Sequence, residues 1–89
     1  MSEASRVWRV EVDGLEHEIE VDHSAMTNKI VVMLDGAVVD ESRLWFTSKD
    51  VQFDVGARRA VVEVEYTYGG FGVRSELHLD GRYVEPLAR

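Results

Sequence analysis

Apolar and polar residues alternate with a period of two along most of this chain, and the alternation is punctuated by Asp-Gly at residues 13–14, 35–36 and 80–81. A period of two sends successive side chains to opposite faces of a strand. Asp-Gly accepts the positive φ angles that a two-residue hairpin turn demands. In Arg6–Asp13, Trp8, Val10 and Val12 share one face and Arg9 and Glu11 the other; in Leu15–Asp22, His17, Ile19 and Val21 oppose Glu16, Glu18, Glu20 and Asp22. Pairing Val12 with Leu15 across Asp13-Gly14 sets Trp8 against Ile19 and Arg9 against Glu18, so one register satisfies both faces.

The same reading continues along the chain. Lys29–Asp35 carries an almost unbroken apolar run, Ile30 to Leu34, as expected of a central or doubly covered strand. Asp35-Gly36 turns it back into Ala37-Val38-Val39. Leu44, Trp45 and Phe46 are consecutive bulky residues within Asp40–Ser48, compatible with a bulged strand or a short helical turn and read here as strand. Val51, Phe53 and Val55 alternate again, and Gly56-Ala57-Arg58-Arg59 reads as a loop. Ala60–Tyr68 and Phe71–Asp80 then form the longest hairpin, around Gly69-Gly70. Its register sets Glu65 against Arg74 favourably and Glu63 against Glu76 unfavourably, which suggests a bulge near the glycines. Asp80-Gly81 leads into a short Arg82–Glu85 strand, and Pro86 closes the ordered part. The expectation is an all-β, antiparallel β-sandwich of about eight short strands joined by tight hairpins. It forms a single domain over residues 6–87, with flexible termini at 1–5 and 88–89. The recurring Val/Leu-Asp-Gly reads as hairpin punctuation.

Composition agrees: 15 of 89 residues are Val and one is Pro. The absence of cysteine excludes disulfides, thiol nucleophiles, iron–sulfur clusters and Cys-ligated zinc. A net charge of −7 repels phosphate backbones and anionic bilayers, so neither nucleic acid nor a membrane is expected as partner. No run approaches the ~20 apolar residues of a membrane-spanning helix, and the expected location is cytoplasmic.

Residues with chemical potential have plain structural explanations. His17 and His23 share the inward face with Ile19 and Val21, where a hydrogen-bonded core histidine is the ordinary outcome, and Glu16, Glu18 and Glu20 point away from them; no metal or cofactor is expected. The acids from Glu11 to Asp22 read as a solvated face. No Gly-x-Ser-x-Gly elbow is present, and Ser75 lies within a strand. Gly69-Gly70-Phe71-Gly72 is followed by a strand, whereas a phosphate cradle requires a helix. Arg58-Arg59 beside Tyr66, Tyr68 and Phe71 would suit nucleic acid only if the tyrosines left the core face.

Taken together, Trp8-x-Val10, Asp13-Gly14-x-x-His17-x-Ile19, Asp22-His23, Lys29-x-Val31-Val32-x-x-Asp35-Gly36, Trp45, Phe53-x-Val55-Gly56 and Leu77-x-Leu79-Asp80-Gly81 resemble the Fas apoptosis inhibitory molecule family from about Trp8 to Tyr83. Animal members carry two β-sandwich domains in tandem, oppose death-receptor apoptosis and are linked to protection against protein aggregation. This chain is similar to the first of those domains, as a stand-alone version. The resemblance implies an eight-stranded sandwich, no enzymatic activity and a surface used for protein contact.

The leading expectation is thus a non-enzymatic protein-interaction domain with no catalytic, cofactor or metal residues. It would act through a strand edge or through Leu44, Trp45 and Phe46, with homodimerisation as one form. The alternatives are a small-ligand module lined by Tyr66, Tyr68 and His17, and a metal-dependent or hydrolytic enzyme using His17, His23 and the Glu11–Asp22 acids.

Overall fold

The computed structural model describes residues 4–24, 27–43, 48–66 and 73–87. Eight antiparallel strands follow in order: β1 (Ala4–Val12), β2 (Leu15–Ser24), β3 (Lys29–Leu34), β4 (Ala37–Arg43), β5 (Ser48–Val55), β6 (Arg58–Tyr66), β7 (Val73–Leu79) and β8 (Arg82–Val84). They form two meanders, β1-β2-β3-β4 and β5-β6-β7-β8, each strand paired with its sequence neighbours. The protein is a β-sandwich.

The alternation explains the packing. Trp8, Val10, Val12, Ile19, Val21, Ile30 and Val32 from the first sheet meet Val51, Val55, Ala60, Val62, Val64 and Leu77 from the second in one buried core. Burying such side chains is worth about 1.5–3 kcal/mol each. Trp8 pairs with Ile19 and Arg9 with Glu18, as the sequence requires. The apolar β3 is central, flanked by β2 and β4.

All three Asp-Gly pairs have positive φ at both residues, between 52° and 85°. This is the signature of type I′ turns, whose twist matches that of the flanking strands. At Gly56-Ala57 only the glycine has positive φ, as in a type II′ turn. The turn needs only these two residues. Arg58 and Arg59, expected in a loop, therefore belong to β6.

Two details of register follow. A bulge that the alternation did not indicate lies at Val39: Val32 pairs with Asp40 and Met33 with Val38, leaving Val39 without a direct partner. In the β6–β7 hairpin the register runs unbroken from Ala60↔Leu79 to Tyr66↔Val73, so Glu63 does face Glu76. Gly69, Gly70 and the cluster Leu44, Trp45 and Phe46 lie outside the described residues.

Candidate functional site

The four tight turns lie at one end of the sandwich, where two of them repeat a single device. β2 extends beyond the end of β3, because Leu34 pairs with Ile19 rather than with the start of β2. This overhang gives the next residue, Asp35, a partner: its N–H donates to the Glu18 carbonyl at 2.8 Å, and the Glu18 N–H donates to Asp35 Oδ1 at 2.8 Å. Oδ2 accepts from His17 Nδ1 at 2.7 Å. A carboxylate only accepts, so the imidazole proton sits on Nδ1. These contacts, the Glu18 amide foremost and then His17, hold the Asp35 carboxyl below the usual carboxylate range. Asp80 does the same in the second sheet. Its N–H donates to the Arg59 carbonyl at 2.8 Å, Oδ1 accepts the Arg59 N–H at 3.1 Å, and Oδ2 accepts from the Arg58 guanidinium at 2.9 Å.

The inward histidines are thereby placed. His17 is half-buried and turned to Asp35. His23 is buried, and its Nε2 lies 3.1 Å from Asn28 Oδ1 in the turn between β2 and β3. The two are occupied by different turns and do not converge. Arg58 and Arg59 are likewise engaged, Arg58 by Asp80 and Arg59 by Asp54 at 2.9 Å and Gln52 at 3.1 Å. Of the imagined ligand lining, Tyr68 and the Tyr66 side chain lie outside what is described.

Two surface features remain. The first is the edge of β4. Val38 and Val39 are 57% and 40% exposed, two of the five large apolar residues exposed among those described. Both occupy an end strand of a sheet. The other edges differ: β1 receives the Leu87 N–H on its Val7 carbonyl at 2.9 Å, β8 has three residues, and β5 shows no exposed large apolar residue.

The second feature is absent from the sequence reading: Glu63, Glu76 and His78 converge on the outer face of the second sheet. Glu63 faces Glu76 across the β6–β7 pair, and His78 follows two residues after Glu76 on the same face. One donor atom from each lies within 4.8 Å of the others. His78 Nε2 is shielded from solvent and makes no hydrogen bond, with Glu76 Oε1 at 3.5 Å. The Tyr83 ring packs edge-on against the imidazole, centroids 5.9 Å apart at 84°. Arg74 pairs with Glu65 at 2.6 Å and also interacts electrostatically with Glu76. The unfavourable Glu63–Glu76 pairing, legible in the sequence, was the signal for this cluster; its third member, His78, had to be read from the register.

A fold of two four-stranded meanders with these paired Asp-Gly locks defines a small β-sandwich domain. The family model of Fas apoptotic inhibitory molecule (FAIM1) matches residues 4–87, and the chain belongs to this family. No curated protein matches the chain. Among the described residues no helix is long and apolar enough to cross a membrane.

Proposed function

We propose that this chain is a non-enzymatic, cytoplasmic protein-interaction domain that takes an extended segment of a partner protein onto the free edge of β4. The observation that carries this reading is the exposure of Val38 and Val39 on that edge. An edge strand presents unpaired backbone N–H and C=O groups to an incoming strand, and neighbouring apolar side chains supply contact area. Membership of the Fas apoptotic inhibitory molecule family, whose name describes inhibition of apoptosis, supports a role in protein contact. Leu44, Trp45 and Phe46, which follow β4 directly in sequence, belong to the same proposal as further contact residues.

The test compares the untagged domain with a Val38→Lys/Val39→Lys variant, lysine being a residue that blunts strand edges. Proteins co-purifying from the chain's own source are expected to be lost in the variant and kept by Leu15→Lys, which alters an exposed leucine remote from that edge. Light scattering of concentrated samples reports whether the occupant is a second copy. Equal capture by the double variant, with an unchanged oligomeric state, overturns the proposal. If the domain in excess leaves the aggregation of an unrelated client unchanged, the anti-aggregation role falls.

A further inference from the structure

The outer face of the second sheet holds a group of side chains that the protein-contact reading does not use. Glu63 and Glu76 stand directly opposite each other on β6 and β7. Two carboxylates in this relation repel, and a direct like-charge pair destabilises a sheet. Arg74 offsets part of the charge on Glu76 but spends its direct ion pair on Glu65, and the imidazole beside the two carboxylates makes no hydrogen bond although its Nε2 is shielded from water. A shielded nitrogen whose one close polar neighbour, Glu76 Oε1 at 3.5 Å, makes no hydrogen bond with it carries a desolvation cost that a ligand relieves.

From this geometry we infer that Glu63, Glu76 and His78 form a binding site for a divalent first-row transition ion of the zinc type. Tetrahedral zinc with ligands at about 2.0–2.1 Å places neighbouring donor atoms roughly 3.3 Å apart. His78 Nε2 and Glu76 Oε1, at 3.5 Å, already meet that spacing. The widest separation in the trio is bounded by 4.8 Å, so Glu63, on an exposed and flexible side chain, closes the remaining ångström or so. Three protein donors leave a fourth position for water or a partner's side chain. Tyr83 lies against the imidazole in a T-shaped arrangement, a contact on one side of the His78 ring.

The donor set names the ion class. An imidazole nitrogen with two carboxylates suits zinc and its first-row neighbours, whereas calcium requires six to eight oxygens and magnesium keeps most of its water. The ion would neutralise the Glu63–Glu76 repulsion and tie β6 to β7 through their side chains.

Calorimetric titration of the whole untagged chain with zinc chloride, after chelator treatment, tests this. The expected result is one saturable site per chain, weakened at least tenfold by His78→Ala and by Glu76→Gln and unchanged by His17→Ala. Because the proton competes with the metal for imidazole, the affinity also falls on acidification. In nitrogen-15 spectra the His78 Nε2 resonance moves on saturation, a readout that overall stability does not mimic. Circular dichroism checks the fold of each variant, and if His78→Ala fails to fold, Glu76→Gln and Glu63→Gln decide. Absence of saturable binding, binding that survives both carboxylate variants, sensitivity to His17→Ala instead, or a stronger response to calcium chloride each overturns the inference.

Discussion

The two sheets are two versions of one plan. Aligned on the aspartate that locks the last turn of each meander, Ile19 corresponds to Ala60, since these pair with Leu34 and Leu79 just before Asp35 and Asp80. Inward positions stay mostly apolar in both, His23 of the first sheet standing where the second has Val64. Outward positions diverge: Glu20, Asp22, Val31 and Met33 in the first sheet stand where the second has Val61, Glu63, Glu76 and His78. The backbone clamp recurs while its side-chain anchor changes from His17 to Arg58. Packing and turn geometry thus constrain the inner face and the Asp-Gly lock, and the outer faces are where the sheets acquire different chemistry.

The largest test of this comparison concerns the shared core. Trp8 and Leu77 are fully buried, one from each sheet. Trp8→Ala is expected to cost about 3–5 kcal/mol and Leu77→Ala about 2–5 kcal/mol, measured by urea denaturation. Both should lower stability in a single transition. Two transitions, or loss confined to one sheet, would break the view that the sheets fold around a common core. The Trp8 indole N–H has no acceptor, so Trp8→Phe should recover most of the loss.

Next come the turns. Gly36 and Gly56 both have positive φ, but a Cβ on Gly36 would meet nothing within 4 Å, whereas one on Gly56 would sit 3.1 Å from Val12 Cγ1. Gly36→Ala therefore pays the left-handed penalty of about 1–2 kcal/mol, and Gly56→Ala pays it with added crowding from the β1–β2 hairpin. Equal melting temperatures for the two variants would mean that this end of the sandwich is looser than its geometry indicates.

The locks themselves are expected to matter about as much as Gly36. Asp80→Ala removes two acceptor contacts and places alanine at φ 52°, for a loss of about 1–2 kcal/mol. Asp35→Ala should lose stability by the same route. The Asp35 carboxyl titrates below its ordinary range, so its stabilising contribution is complete above the ordinary carboxylate value near 3.8 and disappears as pH falls through the lowered one. Asp35→Asn should remove that acid-side increment while keeping the turn. Denaturation midpoints between pH 2 and 7 check it, and a profile parallel to the unaltered protein would refute the assigned cause.

The inner half of this architecture was legible because alternation and Asp-Gly act over neighbouring residues. Trp8↔Ile19, Glu65↔Arg74 and the buried or hydrogen-bonded states of His23 and His17 follow from parity and register alone. What escaped depended on contacts between separate segments. Arg58 and Arg59 looked like loop because charge and a preceding glycine suggest exposure; Asp80, twenty-one residues away from Arg59, draws their backbone into β6. The bulge at Val39 shifts parity within an apolar pair that alternation cannot phase. The Glu63–Glu76–His78 cluster spans two strands and gains its meaning only when His78 is placed diagonally to Glu63.

The smallest expected effect asks whether the outer faces are interchangeable where no function is assigned. Glu20 lies on β2 between Val7 and Met33, and this burial, followed by repulsion from Asp22 and Glu18, raises its carboxyl above the ordinary value. A raised folded-state value means that the folded protein binds the proton more tightly than the unfolded chain. Glu20 therefore detracts from stability at neutral pH, and relief comes as pH falls through the raised value toward the ordinary one near 4.5, opposite in sign to Asp35. The second sheet has already made the substitution, with Val61 at the corresponding place. Glu20→Val should accordingly stabilise the protein at pH 7, by up to about 0.5 kcal/mol as for most surface changes, with the gain shrinking as the solution is acidified. A loss at pH 7 would show that Glu20 has a partner role on the first sheet, and that the outer faces differ by selection at this position too.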